Sequence, residues 1–334
     1  MKFVALLLLV AAASAELAPL LRAREPVPGS YIIRIKDSFD VSLLADSPIL
    51  TALGGRVALR YKRVLHGFSA KLSESALSFV RNSGIIEYVE EDGVARKAFS
   101  WGIDRVNQKS LPLDNNKDYT TKKMYGIDCD GHGTHCSGTV GSSSYGVATG
   151  VNIWGVRVLN CQGSGSWSAV IAGCDFAADS SEPLKVASLS IGGGVSVSVN
   201  DAIQRMIDAD VAVAVAAGNE DSDACNSSPA SAPNCLTVGA SDDTDTRASF
   251  SNFGSCVDIF APGVAITSTV LDNGVASWAG TSMATPHVAG VMALARVEYP
   301  AKTAEQIMAH VKSTASTGLI SDPQGSDNNL LYCP

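Results

Sequence analysis

Charge is scarce in this sequence, and basic residues are scarcer than acidic ones. Charged side chains make up 17% of the 334 residues, and 33 acidic residues outnumber 25 lysines and arginines, giving a net charge of −8. Such a chain has no surplus of cationic groups for phosphate backbones, so we expect no nucleic-acid partner. The low charge and the 46% of hydrophobic residues predict a large buried core.

Long apolar runs and an esterase motif are also missing. No segment approaches the roughly 20 apolar residues that a membrane-spanning helix needs, so no membrane span is expected. No GxSxG sequence occurs, which argues against an esterase with a nucleophile elbow. Internal repeats and low-complexity tracts are absent as well, so the sequence favours an ordinary globular protein.

The N-terminus has the pattern of a secretory signal peptide. Residues 1–15 contain one lysine, then an apolar run, and end in Ala13-Ser14-Ala15, which is typical of a cleavage site. A membrane anchor is the alternative, but the run is too short to span a bilayer. We therefore expect a secreted, extracellular protein whose eight cysteines can pair, although their number alone leaves the pairing open.

Two units follow a Pro- and Arg-containing connector, Glu16 to Gly29. Residues 30–94 predict a small α+β domain with strands at 31–35, 68–72 and 85–89 and a helix at 73–82. Residues 100–334 predict an α/β domain, a parallel sheet with helices on both faces. Its predicted strands are 151–159, 186–190 and 211–217, and its predicted helices are 169–179, 200–208, 280–299 and 304–313.

The segment GTSMATPHVAG at 280–290 places Ser282 after a glycine, at the start of a helix of small residues. Backbone amides at a helix start are unpaired and carry partial positive charge, so they would stabilise an oxyanion beside this serine. An ordinary N-cap serine is the alternative. A second segment, GHGTHCSGTVG at 131–141, supplies histidines that can take the proton of a nucleophilic serine.

Together, in the order His then Ser, these segments resemble the subtilisin-like serine proteases, most closely the secreted proteinase K branch. The resemblance continues in SLSIGGG, AVAAGN and SFSNFGSCVDIFAPG at 188–194, 214–219 and 249–263. It implies that Ser282 is the nucleophile and His132 the general base, while Asn219 and the Ser282 backbone N–H stabilise the oxyanion. His135 would then be structural.

The resemblance also implies how a protein or peptide substrate binds. It would lie as an added strand between two edges, with Trp167 as the wall of an outer subsite and an uncharged first pocket beside them. Cleavage after apolar or aromatic residues would follow. For Trp167, plain core packing is the alternative. The edges and the pocket are formed by Gly163, Ser164, Gly165, Ser190, Ile191, Gly192, Ala216 and Gly218.

The domain at 30–94, with HGFSA at 66–70 and EYVEED at 87–92, resembles the inhibitory propeptide of these proteases. Such a propeptide assists folding, and its tail occupies the active site until it is cut, here between Val94 and Ser100. An accessory domain is the alternative. The protein would then be a zymogen with its own propeptide as inhibitor, and we expect a monomer.

Relatives with matching residues further imply two disulfides and a structural calcium ion. The pairs are Cys129 with Cys161 and Cys225 with Cys256, whereas Cys136 would be a buried free thiol. The calcium ligands would be the carbonyls of Pro233 and Cys235 and the Asp258 carboxylate, since Ca²⁺ prefers oxygen ligands. The pairing of Cys174, Cys235 and Cys333 stays open.

One part of the family pattern is missing. Relatives carry the catalytic Asp at the end of a strand reading like VYVIDTG, ahead of GHGTH, but the region near 116–124 is some tens of residues shorter here. Asp128 would have to fold back to replace that Asp, and Asp104 and Asp114 fit less well. We therefore expect a serine endopeptidase by family; the alternative is a catalytically impaired splice variant or pseudoprotease that acts as a binding or inhibitory protein.

Overall fold

A computed structural model describes residues 17–97, 123–125 and 128–334. The N-terminal unit packs an antiparallel sheet against short helices around a core that includes Ile33, Phe68 and Val80. The sheet order is β5-β2-β4-β3, with β1 parallel to β5. Its strands are β1 (Leu20–Leu21), β2 (Pro26–Ile35), β3 (Arg56–Arg60), β4 (Gly67–Lys71) and β5 (Ile86–Lys97), and its helices are α1 (Ser42–Ala45), α2 (Pro48–Ala52) and α3 (Glu74–Asn82).

This unit begins earlier than the sequence suggested. Ala18 is buried in its core, and its backbone exchanges hydrogen bonds with Arg81. Residues 26–29 of the expected connector belong to β2. Prolines and arginines suggested a linker, but Pro26 and Pro28 lie at the exposed start of β2, where a missing N–H costs little.

The larger unit has alternating strands and helices, as expected for an α/β domain. Its strands are β6 (Lys123–Tyr125), β7 (Trp154–Val156), β8 (Ser164–Ser166), β9 (Lys185–Leu189), β10 (Ile191–Gly194), β11 (Val211–Ala216), β12 (Ser227–Ser228), β13 (Leu236–Ser241), β14 (Ile259–Pro262), β15 (Ile266–Val270), β16 (Gly274–Trp278), β17 (Ser316–Thr317) and β18 (Asn329–Leu330). Its helices are α4 (His132–Gly141), α5 (Trp167–Asp179), α6 (Val197–Asp208), α7 (Thr281–Glu298) and α8 (Ala304–Thr314), with a 3₁₀ turn at Ala224–Asn226.

A six-stranded sheet forms the centre of this unit, in the order β17-β18-β14-β13-β11-β9. From β9 to β18 all neighbours are parallel. Every residue of β11 is buried, because the sheet is covered on both faces and a strand of valines and alanines packs there without polar side chains. Helix α7 packs against β9, β11, β13 and β14, and it therefore holds its own N-terminus at the carboxyl end of the sheet.

Strand β9 is the edge strand of this sheet among the described residues. In the part of the chain that the structure describes, β9 has a neighbouring strand on one side only, and β6 and β7 form a separate parallel pair. Residues of β9 are only partly buried, in contrast to those of β11. Strands β7 and β9 both contact α5. Trp154 of β7 lies against Phe176, and Lys185 Nζ of β9 donates to the Ala178 carbonyl. Among the described residues, no strand pairs with both β7 and β9.

Among the described residues, no helix has the length and apolar character needed to cross a membrane. The signal peptide expected at 1–15 lies outside the described residues, as do Asp104, Asp114 and most of the shortened region.

Candidate active site

Ser282 lies in the first turn of α7, fully buried, two residues after the N-cap. The N-cap is Gly280, whose φ of 146° is a conformation that only glycine adopts readily. The Ser282 hydroxyl donates to the Ser190 carbonyl at 3.1 Å, and the Ser190 hydroxyl donates to the Ser282 carbonyl at 2.8 Å. Ser282 is therefore not the N-cap, and it is fixed at the end of β9.

His132 is the first residue of α4 and follows Gly131, whose φ is 90°. The Cys136 thiol lies 3.9 Å from His132 Nε2 and 3.4 Å from the Ser282 carbonyl oxygen, so it packs between the imidazole and the backbone of the serine. Burial raises the pKa of this thiol to about 12, and it stays neutral. The structure thus brings the expected base and nucleophile to one place, with Cys136 as a free packed thiol.

His135 has a different environment one turn away. It is fully buried, stacks on Trp278 with ring centroids 4.7 Å apart, and its Nε2 lies 3.0 Å from the Ile266 carbonyl and 3.3 Å from that of Ala276. Burial lowers its pKa below the ordinary value, although the two carbonyls oppose this effect. These contacts tie α4 to the β15–β16 hairpin, as expected for a structural histidine.

Asn219 follows β11 and is oriented by the residue that precedes the serine. Its amide oxygen accepts from the Thr281 N–H at 2.8 Å and from the Thr281 hydroxyl at 2.9 Å. The acceptor end of the side chain is therefore turned to the start of α7, and the NH₂ end is the one that can donate. The role of Thr281 was not evident from the sequence, because a threonine beside a serine gives no signal of its own.

The expected substrate edges are filled by the end of β5. Val94, Ala95 and Arg96 pair antiparallel with Ser166, Gly165 and Ser164 of β8. On the other side, residues 95–97 pair antiparallel with residues 191–193 of β10. The last pair joins Lys97 to Ile191, so Ser190 lies one residue beyond the paired segment. Gly163 likewise lies just outside the paired residues. A strand of the N-terminal unit therefore occupies the position expected for a substrate.

Trp167 forms a wall of this groove. It is almost fully buried and belongs to one apolar cluster with Ala95 and Ile191. A Cβ at Gly193 would lie 2.6 Å from the Val94 carbonyl oxygen and 2.8 Å from Trp167 Cζ2, so the backbones approach closely only because Gly193 has no side chain. The indole thus packs in the core and also contacts the groove.

Two residues are expected to line the first pocket: Ala216 is the last residue of β11, and Gly218 lies two residues beyond it, next to Asn219. Ala216 is 2% exposed. Gly218 has a φ of 103°, and a Cβ there would collide with the Asn252 side chain. Two small residues therefore adjoin Asn219, and the Glu220 carboxylate, which accepts from the Asn219 backbone N–H at 2.9 Å, lies beside Gly218.

Asp128 is bound to its own loop. One carboxylate oxygen accepts from the Asp130 and Gly131 amides, and the other accepts from the Thr134 amide at 2.8 Å and from its hydroxyl at 2.6 Å. Burial raises the pKa of this carboxyl, but these hydrogen bonds outweigh burial and hold the pKa below its usual range. Asp128 therefore stabilises the start of α4, in agreement with its assignment to the loop.

Two carboxylates of β5 bind helix starts in the larger unit. Glu90 accepts from the Val197 and Ser198 amides, and Asp92 accepts from the Ser168 amide and hydroxyl. Conversely, Asp175 of α5 accepts from three backbone amides at 62–64. Glu90 and Asp92 lie two positions apart on a strand and so share one face, a sequence signal that could have indicated their role.

The structure joins Cys129 to Cys161 and Cys225 to Cys256, the two pairs expected from the resemblance. The four other cysteines are free thiols. At the expected calcium site, the Asp258 carboxylate binds the Lys312 ammonium at 2.6 Å. No cluster of three or more His, Cys, Asp or Glu side chains suited to a metal occurs among the described residues.

Comparison with known proteins agrees with this geometry. Residues 67–330 match the model described as the Subtilase family. The chain is 42% identical over 312 residues to alkaline serine exoprotease A of Vibrio alginolyticus, covering 80% of this chain but only 58% of that protein. It is 38% identical to Proteinase R of Parengyodontium album, covering 95% of this chain and 92% of the relative.

A third relative aligns over more positions than this chain has residues. The extracellular serine proteinase of Thermus sp. (strain Rt41A) is 38% identical over 388 residues, covering 97% of this chain and 94% of that protein. This alignment is longer than the 334 residues of the chain, so the Thermus protein has residues without a counterpart here. A solved cold adapted subtilisin-like serine proteinase is 43% identical with a TM-score of 0.63, covering 70% of this chain and 98% of the neighbour.

Proposed function

The chain belongs to the subtilase family of serine proteases, and on this basis we propose that it is a secreted serine endopeptidase made as a zymogen. Ser282 attacks the peptide carbonyl, and His132 takes the serine proton and passes it to the leaving amine. The Asn219 amide and the Ser282 N–H donate to the oxyanion. The observation that carries this proposal is the hydrogen bonding of Asn219 to Thr281, which orients the amide beside the serine.

We further propose that residues 30–94, with the end of β5 at residues 95–97, act as the inhibitor of the peptidase unit at 100–334. Support comes from β5, which enters the groove in the pairing of a substrate strand, and from Glu90 and Asp92, which bind the starts of α6 and α5. The last paired residue, Lys97, lies opposite Ile191, next to Ser190, whose carbonyl accepts a hydrogen bond from the Ser282 hydroxyl. Cleavage is therefore expected after Lys97, within residues 98–100.

Substrate preference is proposed from the groove walls. Ala216 and Gly218 present no charge at the first pocket, so apolar or aromatic residues are favoured before the cleaved bond. Ala95 is completely buried beside Trp167, and this outer position therefore accepts small side chains. Extended segments of unfolded or flexible proteins would be cut most readily, because they can add as a strand.

A second candidate function follows from the shortened region near 116–124, where the sequence has no VYVIDTG-like segment. A chain that lacks the VYVIDTG-like segment would lose the acid that orients His132; in subtilisin, loss of that acid alone lowers kcat by about 3 × 10⁴. A protein translated without the exon for that segment would then be an impaired enzyme, or would act as a binding or inhibitory protein. Genomic sequence between the codons for Asn116 and Met124 decides whether such an exon exists.

Processing of the secreted chain tests the proposed function. Mass spectrometry of the protein from culture medium should show a new N-terminus at residues 98–100 in the natural sequence. The Ser282→Ala variant should retain the uncut N-terminal unit, because the cut is made by its own serine. Equal processing in both proteins would assign the cut to another protease, and no processing in either would contradict self-cleavage.

A further inference from the structure

Lys312, in the last turn of α8, ends between two carboxylates. Its Nζ lies 2.6 Å from Asp258 Oδ1 and 2.9 Å from Asp327 Oδ2. The other oxygen of Asp258 accepts from the Thr237 amide at 3.0 Å, so both oxygens of this carboxylate are engaged. The ammonium thus links α8 to the start of β14 and to the segment before β18.

These are the residues at which a calcium ion was expected. Calcium takes 6–8 oxygen ligands at 2.3–2.6 Å, and the expected set offers one carboxylate and the carbonyls of Pro233 and Cys235. An ammonium in hydrogen-bond contact with that carboxylate balances its charge and repels a second cation at the same group. As arranged, the residues do not fit calcium.

Lys312 has the properties of a permanent cation. Its ammonium contacts both Asp258 and Asp327, and the two carboxylates stabilise the positive charge. The side chain is 36% exposed and that of Asp258 is 26% exposed, so the pair is partly shielded from solvent. A lysine beside the end of a helix also interacts favourably with the helix dipole.

We propose that Lys312 takes the place of a structural metal ion at this site, so that its ammonium, rather than calcium, holds α8 to β13 and β14. The inference is independent of the proposed function, because it concerns the stability of the fold. It predicts that the site is insensitive to chelators, and that calcium binds there only when the lysine is removed.

Thermal unfolding of the full secreted chain tests this inference. The natural protein should show the same apparent Tm in EDTA and in millimolar CaCl₂. Lys312→Met should lower the apparent Tm in EDTA by about 2–4 °C, the size expected for a modest loss in a domain of this length. Added CaCl₂ should recover part of that loss, because Asp258, Asp327 and the two carbonyls then become available as ligands.

Lys302→Met is the matched control. Lys302 lies near the same helix, and its ammonium lies over the Tyr299 ring and not between carboxylates. It should produce no calcium response. Equilibrium dialysis with radioactive calcium, at equal protein concentrations, adds a readout that does not depend on unfolding. Calcium binding by the natural chain that Asp258→Asn abolishes would overturn the inference, as would a Lys312→Met variant with unchanged Tm and no calcium response.

Discussion

At the residue scale, a few short contacts decide the chemistry. The motifs predicted Ser282 and His132, because catalytic residue types stand there beside glycines at element ends, whereas the role of Asn219 was implied only by the family resemblance. The sequence could not show that Thr281 holds the Asn219 amide oxygen or that Ser190 bonds both ways with Ser282. Such contacts join residues 62 and 92 positions apart, and no local pattern encodes them.

Replacing Asn219 with alanine should lower kcat by about 10²–10³ with little change in KM. In the proposed mechanism this amide donates to the oxyanion, which develops in the transition state and is absent from the bound substrate. The rates would be measured on a peptide ending in a chromogenic leaving group, with Asn234→Ala as a control for loss of a surface amide. A raised KM with unchanged kcat would show that Asn219 binds substrate instead.

His287 should make the stability of the fold depend on pH. Burial depresses its pKa to about 4, and the Met283 carbonyl, 2.8 Å from Nδ1, only partly offsets this effect. The unfolded chain takes up a proton near pH 6.5, but the folded chain takes it up only near pH 4, so stability falls as pH falls through this range. The loss is on the order of 3 kcal/mol.

Unfolding midpoints between pH 7 and pH 4 measure this effect. In His287→Asn the decline should be shallower, even if the variant is less stable at pH 7. His135, which lies nearby and whose pKa burial also lowers, should account for part of the remaining slope. Identical slopes in the two proteins would show that His287 does not titrate as described.

At the element scale, the helices were predicted best and the sheet least well. Four helices of the larger unit begin within three residues of their predicted positions, since helical periodicity and caps are local signals. The predicted strand at 151–159 shrinks to Trp154–Val156. Strands gain stability from their neighbours, and in the described part of the chain β7 pairs only with the three residues of β6.

Asp92→Asn should loosen the first turn of α5 in the full chain. It weakens the acceptor for the Ser168 amide and hydroxyl, and loss of such a helix-start contact costs about 1 kcal/mol, or roughly fivefold faster amide exchange. Hydrogen exchange followed by mass spectrometry would locate the change. Asp208→Asn, at the other end of a neighbouring helix, should leave this turn unchanged; equal effects of both variants would point to general destabilisation.

At the scale of the whole molecule, β5 unites the two units. Its first half belongs to the N-terminal sheet, and its last residues lie between β8 and β10 in the groove of the peptidase unit. The sequence predicted both units, and the resemblance implied the groove edges and a propeptide tail in the site, but neither indicated that one continuous strand would run from the N-terminal sheet into the groove. Hydrophobic patterning indicated only residues 85–89, because the charged end of the strand is stabilised by its partners.

The central claim is that Ser282, His132 and Asn219 form a serine hydrolase site. Labelling with a fluorophosphonate probe, followed by peptide mapping, tests it most directly, because the probe needs an activated serine and an oxyanion site but no peptide turnover. The account predicts label on Ser282 of the processed chain, slower labelling in His132→Ala, and none in Ser282→Ala. Absence of label from folded, processed protein, or label on a different serine, would contradict the account.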